Sequence, residues 1–74
     1  AVVKRDDILL LTADSYFRNE NWTQAKEVFQ LLEKGFPSRI EPQVRYQLAY
    51  ACFRLNDFQA SANYLQALAG GSDS

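Results

Sequence analysis

The 74-residue chain contains no histidine, no methionine and a single cysteine, Cys52. Without histidine it has no imidazole base and no Ser-His-Asp or Cys-His triad, and one cysteine cannot supply the ligands of a structural zinc site. One cysteine also excludes an internal disulfide, so a fold this small depends on packing alone. Cys52 lies among apolar residues at helical spacing, and we interpret it as a small buried hydrophobic residue.

The net charge does not indicate nucleic-acid binding, and the length of the apolar runs does not indicate a membrane-spanning segment. Eight basic and nine acidic residues give a net charge of −1, and no basic stripe of the kind that binds nucleic acid is present. The longest apolar run, Ile8 to Leu11, is too short to span a bilayer. The chain begins without methionine or a signal peptide, so we expect it to be a piece of a longer protein.

The acidic residues form no pattern that calls for general acid–base chemistry. They are scattered along the chain, and we interpret them as solvated helix faces or caps: Glu20, Glu27, Glu33 and Asp57. We therefore expect neither catalysis nor a cofactor.

Two stretches of the chain repeat one another at a spacing of 36 residues. The identical pairs include Ala13/Ala49, Phe17/Phe53 and Arg18/Arg54, and Trp22/Phe58 is a similar pair. A period of this size is the signature of a stacked-repeat architecture. The sequence thus predicts two copies of one structural unit.

Apolar residues in each copy recur every three to four positions, which predicts four helices of roughly 12 to 15 residues and an all-α fold. Polar breaks at residues 19–21 and 56–57 separate the helices of each copy, and Pro42 is predicted to open the third helix. Gly35 is predicted to be a left-handed cap. The apolar stripe predicted for the fourth helix consists of Phe58, Ser61, Ala62, Leu65, Leu68 and Ala69.

Short connections between these helices favour antiparallel hairpins. We expect a repeat domain at residues 1–69, with the first repeat at about 5–36 and the second at about 41–69. Residues 70–74, rich in glycine and serine, are predicted to be a flexible tail.

The two copies resemble the tetratricopeptide repeat (TPR), a helix–turn–helix unit of about 34 residues. The matching residues are Leu9, Ala13, Tyr16, Trp22, Ala25, Phe29 and Pro37 in the first copy, and Leu48, Ala49, Phe58, Ser61, Leu65 and Leu68 in the second. The resemblance implies two tandem hairpins in a right-handed superhelical stack. Ala13 and Ala49 would lie where helices cross closely, and Trp22 and Phe58 would fill the space beneath the first helix of each hairpin.

The second copy departs from the TPR pattern at Arg45, Cys52 and Ser61. The run Phe36-Pro-Ser, followed by the run from Pro42 to Ala49, also resembles bacterial envelope proteins of this class, among them the Tol–Pal cell-division coordinator and outer-membrane assembly lipoproteins. Those proteins have slightly long repeats with a proline at the start of the next helix. We therefore expect the compartment to be either the cytoplasm or a bacterial periplasm.

In the TPR family the first helices of successive repeats line a concave face that binds partners. Carried onto this sequence, that face consists of Leu10, Asp14, Phe17, Arg18, Tyr46, Tyr50, Phe53 and Arg54, with Asp7 and Gln43 beside them. Aromatic and arginine side chains are enriched at protein interfaces. The alternative is that Tyr50 and Phe53 pack on a neighbouring helix outside this chain.

Chaperone-binding members of the family hold a peptide's terminal carboxylate with lysine and asparagine, and those residue types are missing from this face. Leu10, Asp14, Tyr46 and Tyr50 stand there instead, which argues against a chaperone-tail receptor. The resemblance therefore predicts a non-catalytic scaffold that binds a protein or peptide segment through apolar anchors.

A second hypothesis is a structural or self-association element of a longer TPR protein, because three or more repeats are usually needed for a stable stack. Such an element could form homo-oligomers. An RNA-binding helical repeat is disfavoured by the charge balance.

Overall fold

All regular structure in the part of the chain that is described is helical. The computed structural model describes residues 4–70, with side chains for residues 4–68. The helices are α1 (Arg5–Arg18), α2 (Trp22–Gly35), α3 (Pro42–Arg54) and α4 (Phe58–Gly70), and a 3₁₀ turn, Pro37–Arg39, lies between α2 and α3. Helix α1 packs on α2, α3 on α4, and α2 on α3. The predicted all-α pair of helical hairpins is confirmed, and Pro42 opens α3 as expected.

The end of the last helix differs by one residue from the predicted start of the tail. Helix α4 extends through Gly70, so the predicted tail does not include this residue, and residues 71–74 lie outside the described part of the chain. Between residues 4 and 70, each helix is too short or too polar to traverse a bilayer.

The turn that ends α1 is a Schellman motif. Glu20 has φ 61°, in the left-handed region. The amide of Asn21 donates to the carbonyl of Tyr16 at 2.9 Å, and the amide of Glu20 donates to the carbonyl of Phe17 at 3.1 Å. These two bonds satisfy carbonyls that a helix end otherwise leaves without partners.

The turn that ends α3 repeats this geometry 36 residues later. Asn56 has φ 64°. The corresponding bonds join Asp57 to Cys52 at 2.9 Å and Asn56 to Phe53 at 3.0 Å. The repeat read from the side chains is therefore also a repeat of backbone conformation.

The predicted left-handed cap at Gly35 is wrong. Helix α2 runs through Gly35, and glycines of the described chain have no positive φ. The amide of Phe36 still donates to the carbonyl of Leu32 at 2.7 Å, so the helical bonding pattern continues beyond the glycine. A 3₁₀ turn then tightens the chain, and this makes a left-handed residue unnecessary.

We expect Glu20→Gly to stabilise the protein. A non-glycine residue in the left-handed region costs about 1–2 kcal/mol, and the added freedom of glycine in the unfolded chain takes back about 0.4–1 kcal/mol. The expected net gain is about 0.5–1 kcal/mol in the free energy of unfolding, measured by urea denaturation. Asn56→Gly is the matched control and should gain less, because asparagine adopts this conformation more readily. A larger gain at Asn56 would contradict this explanation.

The core lies where α2 contacts both α1 and α3. Its fully buried residues are Ala13, Ala25, Phe29, Leu32, Leu48, Ala51 and Cys52. Ala13 and Ala49 are 0% and 1% exposed, as close helix crossings require. The predicted burial of Cys52 is confirmed, and desolvation raises the pKa of its thiol.

Equivalent positions of the two hairpins differ in burial. Phe29 is fully buried, whereas Leu65, 36 residues later, is 43% exposed. Trp22 is half-buried, whereas the equivalent Phe58 is 55% exposed. The reason is that α3 covers this face of α2, while within residues 4–70 no third hairpin covers the matching face of α4.

Two predictions for the second copy therefore need correction. Phe58 packs on Phe53 of α3 but is 55% exposed, so it fills the space beneath α3 only in part, and the predicted apolar stripe of α4 is mostly not buried. Of its described side chains only Ser61 is buried, and the side chain of Ala69 lies outside the described part. Ala60 and Tyr64 make the apolar contacts of α4 with the core instead.

Candidate protein-interaction surface

Ion pairs fix the linker and the second hairpin against the first. Arg39 of the 3₁₀ turn binds the carboxylates of Asp6 and Asp7 at the start of α1, with N–O distances of 2.5 and 3.0 Å. Lys26 of α2 binds Asp57, at the start of α4, at 3.0 Å. The Asp7 side chain is 45% exposed but is paired with Arg39, rather than free at the edge of a groove. These contacts help to hold α1 and α3 at a fixed separation.

The ion pairs predict a loss of stability in acid. Hydrogen bonding by Arg39 lowers the pKa of Asp6, and hydrogen bonding by Lys26 lowers the pKa of Asp57. A carboxyl group whose pKa is lowered on folding stabilises the fold above its unfolded pKa, about 3.9, and this contribution is lost as pH falls through the folded pKa.

We therefore expect the melting temperature to fall as pH drops below about 4. Arg39→Gln should flatten this dependence, because it removes the partner of Asp6. Thermal denaturation of both proteins across the acid range measures the effect. Parallel acid profiles for the two proteins would show that the Arg39 pair contributes nothing.

A cleft of about 260 Å³ lies between α1 and α3. Its lining residues are Leu10, Leu11, Asp14, Arg18, Gln43, Val44 and Gln47. Asp14 accepts hydrogen bonds from Arg18 Nε at 2.8 Å and from Gln47 Nε2 at 3.2 Å. The bond from Gln47 links α3 to α1, and both bonds leave little of the Asp14 charge available to a ligand.

An aromatic cluster adjoins the cleft at the turn end of the hairpins. Phe17 and Trp22 pack edge to face with ring centroids 5.2 Å apart, and the equivalent pair Phe53 and Phe58 does so at 5.5 Å. Tyr50 joins the two pairs, since its ring centroid is 5.7 Å from Phe17 and 5.4 Å from Trp22 in the first pair, and 6.4 Å from Phe53 in the second. Such contacts stabilise beyond the area that they bury. The cluster therefore connects the two hairpins as well as forming part of the surface.

Much of this aromatic surface remains open to solvent. Tyr46 and Phe53 are more than half exposed, and Tyr50 is 36% exposed. Phe58 extends the same surface onto α4. Isolated exposed hydrophobic residues are ordinary, but contiguous ones mark interaction sites.

The predicted site residues fall into two adjoining groups. Leu10, Asp14 and Arg18 line the cleft, and Leu10 also packs against the core. Phe17, Tyr50 and Phe53 belong to the aromatic cluster, with the guanidinium of Arg54 5.5 Å from the centre of the Trp22 ring. Tyr46 is exposed on α3 one helical turn before Tyr50, so it extends the aromatic surface without belonging to the packed cluster. The groups adjoin because Phe17 and Tyr50 lie one helical turn beyond Asp14 and Gln47.

Sequence reasoning missed Gln47, Trp22 and Phe58 as members of this surface. The signal for the two aromatic residues was present, because the Phe17/Trp22 pair recurs 36 residues later as Phe53/Phe58. Gln47 carried no such signal, since its role depends on the distance between α1 and α3.

Among the side chains of residues 4–68, no group of three potential metal ligands is found. Comparison with known proteins gave no matching family model, no similar curated protein and no similar solved structure.

Proposed function

We propose that this protein is a non-catalytic protein–protein interaction module of the TPR type, which binds a partner segment along the cleft and the aromatic cluster. The observation that carries the proposal is a run of exposed aromatic side chains beside an open cleft, held on a packed helical scaffold. Exposed aromatic residues offer large contact area at a low cost in conformational entropy.

Apolar contacts are expected to provide most of the binding energy. Asp14 is already paired within the protein, so a partner gains most by burying its own apolar side chains against Tyr46 and Phe53. The Arg18 side chain is 78% exposed, and its remaining donors can orient an acidic group of the partner. Arg54 is exposed, and its guanidinium lies over the Trp22 ring at 5.5 Å, within the range of a cation–π interaction.

Selection of binding peptides from a random display library tests this function. Peptides that bind the protein should lose at least tenfold in affinity to a Tyr46→Ala, Phe53→Ala variant, because truncating two anchor residues commonly costs more than about 1 kcal/mol each. Circular dichroism should show that the variant remains helical, since both side chains are largely exposed. Leu31→Ala is the control, because Leu31 is equally exposed but lies on α2 outside this surface.

The proposal fails if the double variant binds all selected peptides as tightly as the unaltered protein. It also fails if Leu31→Ala weakens binding as strongly, because the peptides would then bind exposed apolar residues without regard to place.

The alternative is a structural or self-association element of a longer TPR protein. It is favoured by exposed apolar residues at both ends of the stack, with Ile8 and Leu11 on α1 and Phe58 and Leu65 on α4. Self-association would make the melting temperature rise with protein concentration, by mass action. A melting temperature independent of concentration would exclude it.

A further inference from the structure

Helix α4 has an exposed face, and the equivalent face of α2 in the first hairpin is covered by α3. Helix α3 packs on α2 and leaves Phe29 and Leu32 fully buried. The residues 36 positions later are more exposed: Leu65 is 43% exposed and Leu68 is half-buried. The structure thus contains both a covered and an uncovered example of one surface, and α3 shows which kind of element covers it.

The same comparison identifies a socket at the end of this face. A pocket of about 220 Å³ is lined by Phe53, Arg54, Asn56 and Phe58. These residues lie 36 positions after Phe17, Arg18, Glu20 and Trp22. Phe17 and Trp22 of the first hairpin are covered by the ring of Tyr50, which extends from α3 and packs on both of them. The pocket lined by Phe53 and Phe58 is therefore the equivalent, in the second hairpin, of the place that Tyr50 occupies on the first.

We propose that the exposed face of α4 binds an amphipathic helix of a partner protein, which places an aromatic side chain in the pocket lined by Phe53 and Phe58 and packs it against both rings. The apolar stripe of the partner helix then covers Leu65 and Leu68, as α3 covers Phe29 and Leu32. Edge-to-face packing of the inserted ring makes the contact selective for aromatic over aliphatic side chains. This site shares Phe53 and Phe58 with the aromatic cluster, but Leu65 and Leu68 continue it along α4, away from the cleft between α1 and α3, so it goes beyond the function proposed above.

A second copy of the chain is a poorer occupant. A copy stacked in the register of the two hairpins would present α1 to α4, with Ile8 at the place of Val44. The residue of α1 that corresponds to Tyr50 is Asp14. This register would bring a carboxylate against two phenyl rings, where burial of the charge is unfavourable.

The helix that already covers the equivalent face supplies the test ligand. We would titrate the isotopically labelled 74-residue protein with a peptide of the sequence Glu41–Leu55. Gln43→Lys and Gln47→Glu in this peptide, joined by a side-chain lactam, keep it helical, because an isolated helix of this length is marginal in water. Nuclear magnetic resonance shifts should be confined to α4 and the end of α3. Tyr50→Ala in the peptide should weaken binding about three- to tenfold.

Variants of the protein separate this site from the others. Phe58→Ala should weaken binding of the peptide to a similar extent, and Leu65→Ala is a second variant should the first fail to fold. Leu31→Ala, of matching exposure on α2, and Tyr46→Ala, on α3 one helical turn before Tyr50, should leave peptide binding unchanged. If Tyr46→Ala abolishes binding of selected peptides but not of this one, the two sites are independent.

The proposal is overturned if the helical peptide causes no shifts at millimolar concentration, or if the shifts lie on α1 or α2. If the Tyr50→Ala peptide binds with the same affinity as the unaltered peptide, the pocket lined by Phe53 and Phe58 does not bind an aromatic side chain. Concentration-dependent chemical-shift changes of α4 without peptide, abolished by Ile8→Ala, would instead identify a second copy of the chain as the occupant.

Discussion

Phe29→Ala is expected to lower the free energy of unfolding by about 3–5 kcal/mol. Phe29 is fully buried and is among the largest buried side chains of the core. It lies on α2 within the buried cluster contributed by α1, α2 and α3, so truncation leaves a cavity where the two hairpins meet. Small domains are often stable by only about 5 kcal/mol, so urea denaturation should begin with a partly unfolded protein.

Leu65→Ala is the matched control for Phe29→Ala, because it truncates the same repeat position. Leu65 is 43% exposed, so it loses much less buried apolar area and should cost about 1 kcal/mol. The difference between the two losses measures how much the packing of α3 on Phe29 contributes to the free energy of unfolding. Equal losses at both positions would mean that the face of α4 is covered in solution, by another chain or another copy.

Ala13→Leu and Ala49→Leu are each expected to destabilise the fold by about 1–3 kcal/mol or more. Ala13 and Ala49 are 0% and 1% exposed at equivalent positions of α1 and α3. An extra three-carbon branch has no space there, so the packed helices must separate or the side chains must leave their preferred rotamers. Thermal and urea denaturation measure the loss.

Ala67→Leu controls for the change of residue type. Ala67 is exposed on α4, and the equivalent position on α2 already carries an exposed leucine, Leu31. This substitution should therefore be tolerated within about 0.5 kcal/mol. If Ala13→Leu and Ala49→Leu were tolerated equally well, the helix crossings would not lie at these alanines and the repeat alignment would be wrong.

The helices and turns of this protein were predictable because they depend on neighbouring residues. Helical periodicity, the polar residues at 19–21 and 56–57, and Pro42 all act within a few positions of the chain. The error at Gly35 is of the same local kind. Glycine permits a left-handed cap without requiring one, and the hydrogen bond from Phe36 to Leu32 extends the helical pattern instead.

The candidate site was only partly predictable. Phe17 and Phe53 stand out in the sequence because they recur at the repeat spacing, whereas Tyr50 does not recur. The structure brings all three into one cluster. The pairing of Asp14 with Arg18 and Gln47 was not predicted. Hydrogen bonds between helices depend on distances that a linear pattern does not contain.

The sequence by itself determined the all-α class, the four helices and the 36-residue repeat, because each follows from local conformational preference and from comparing the chain with itself. The tertiary structure alone decided which copy of a repeated position is buried. Phe29 and Leu65 occupy the same place in their hairpins, yet α3 covers the first and leaves the second exposed. Burial depends on the element that packs against a face, and that element is set by the arrangement of helices rather than by the residues of the face itself.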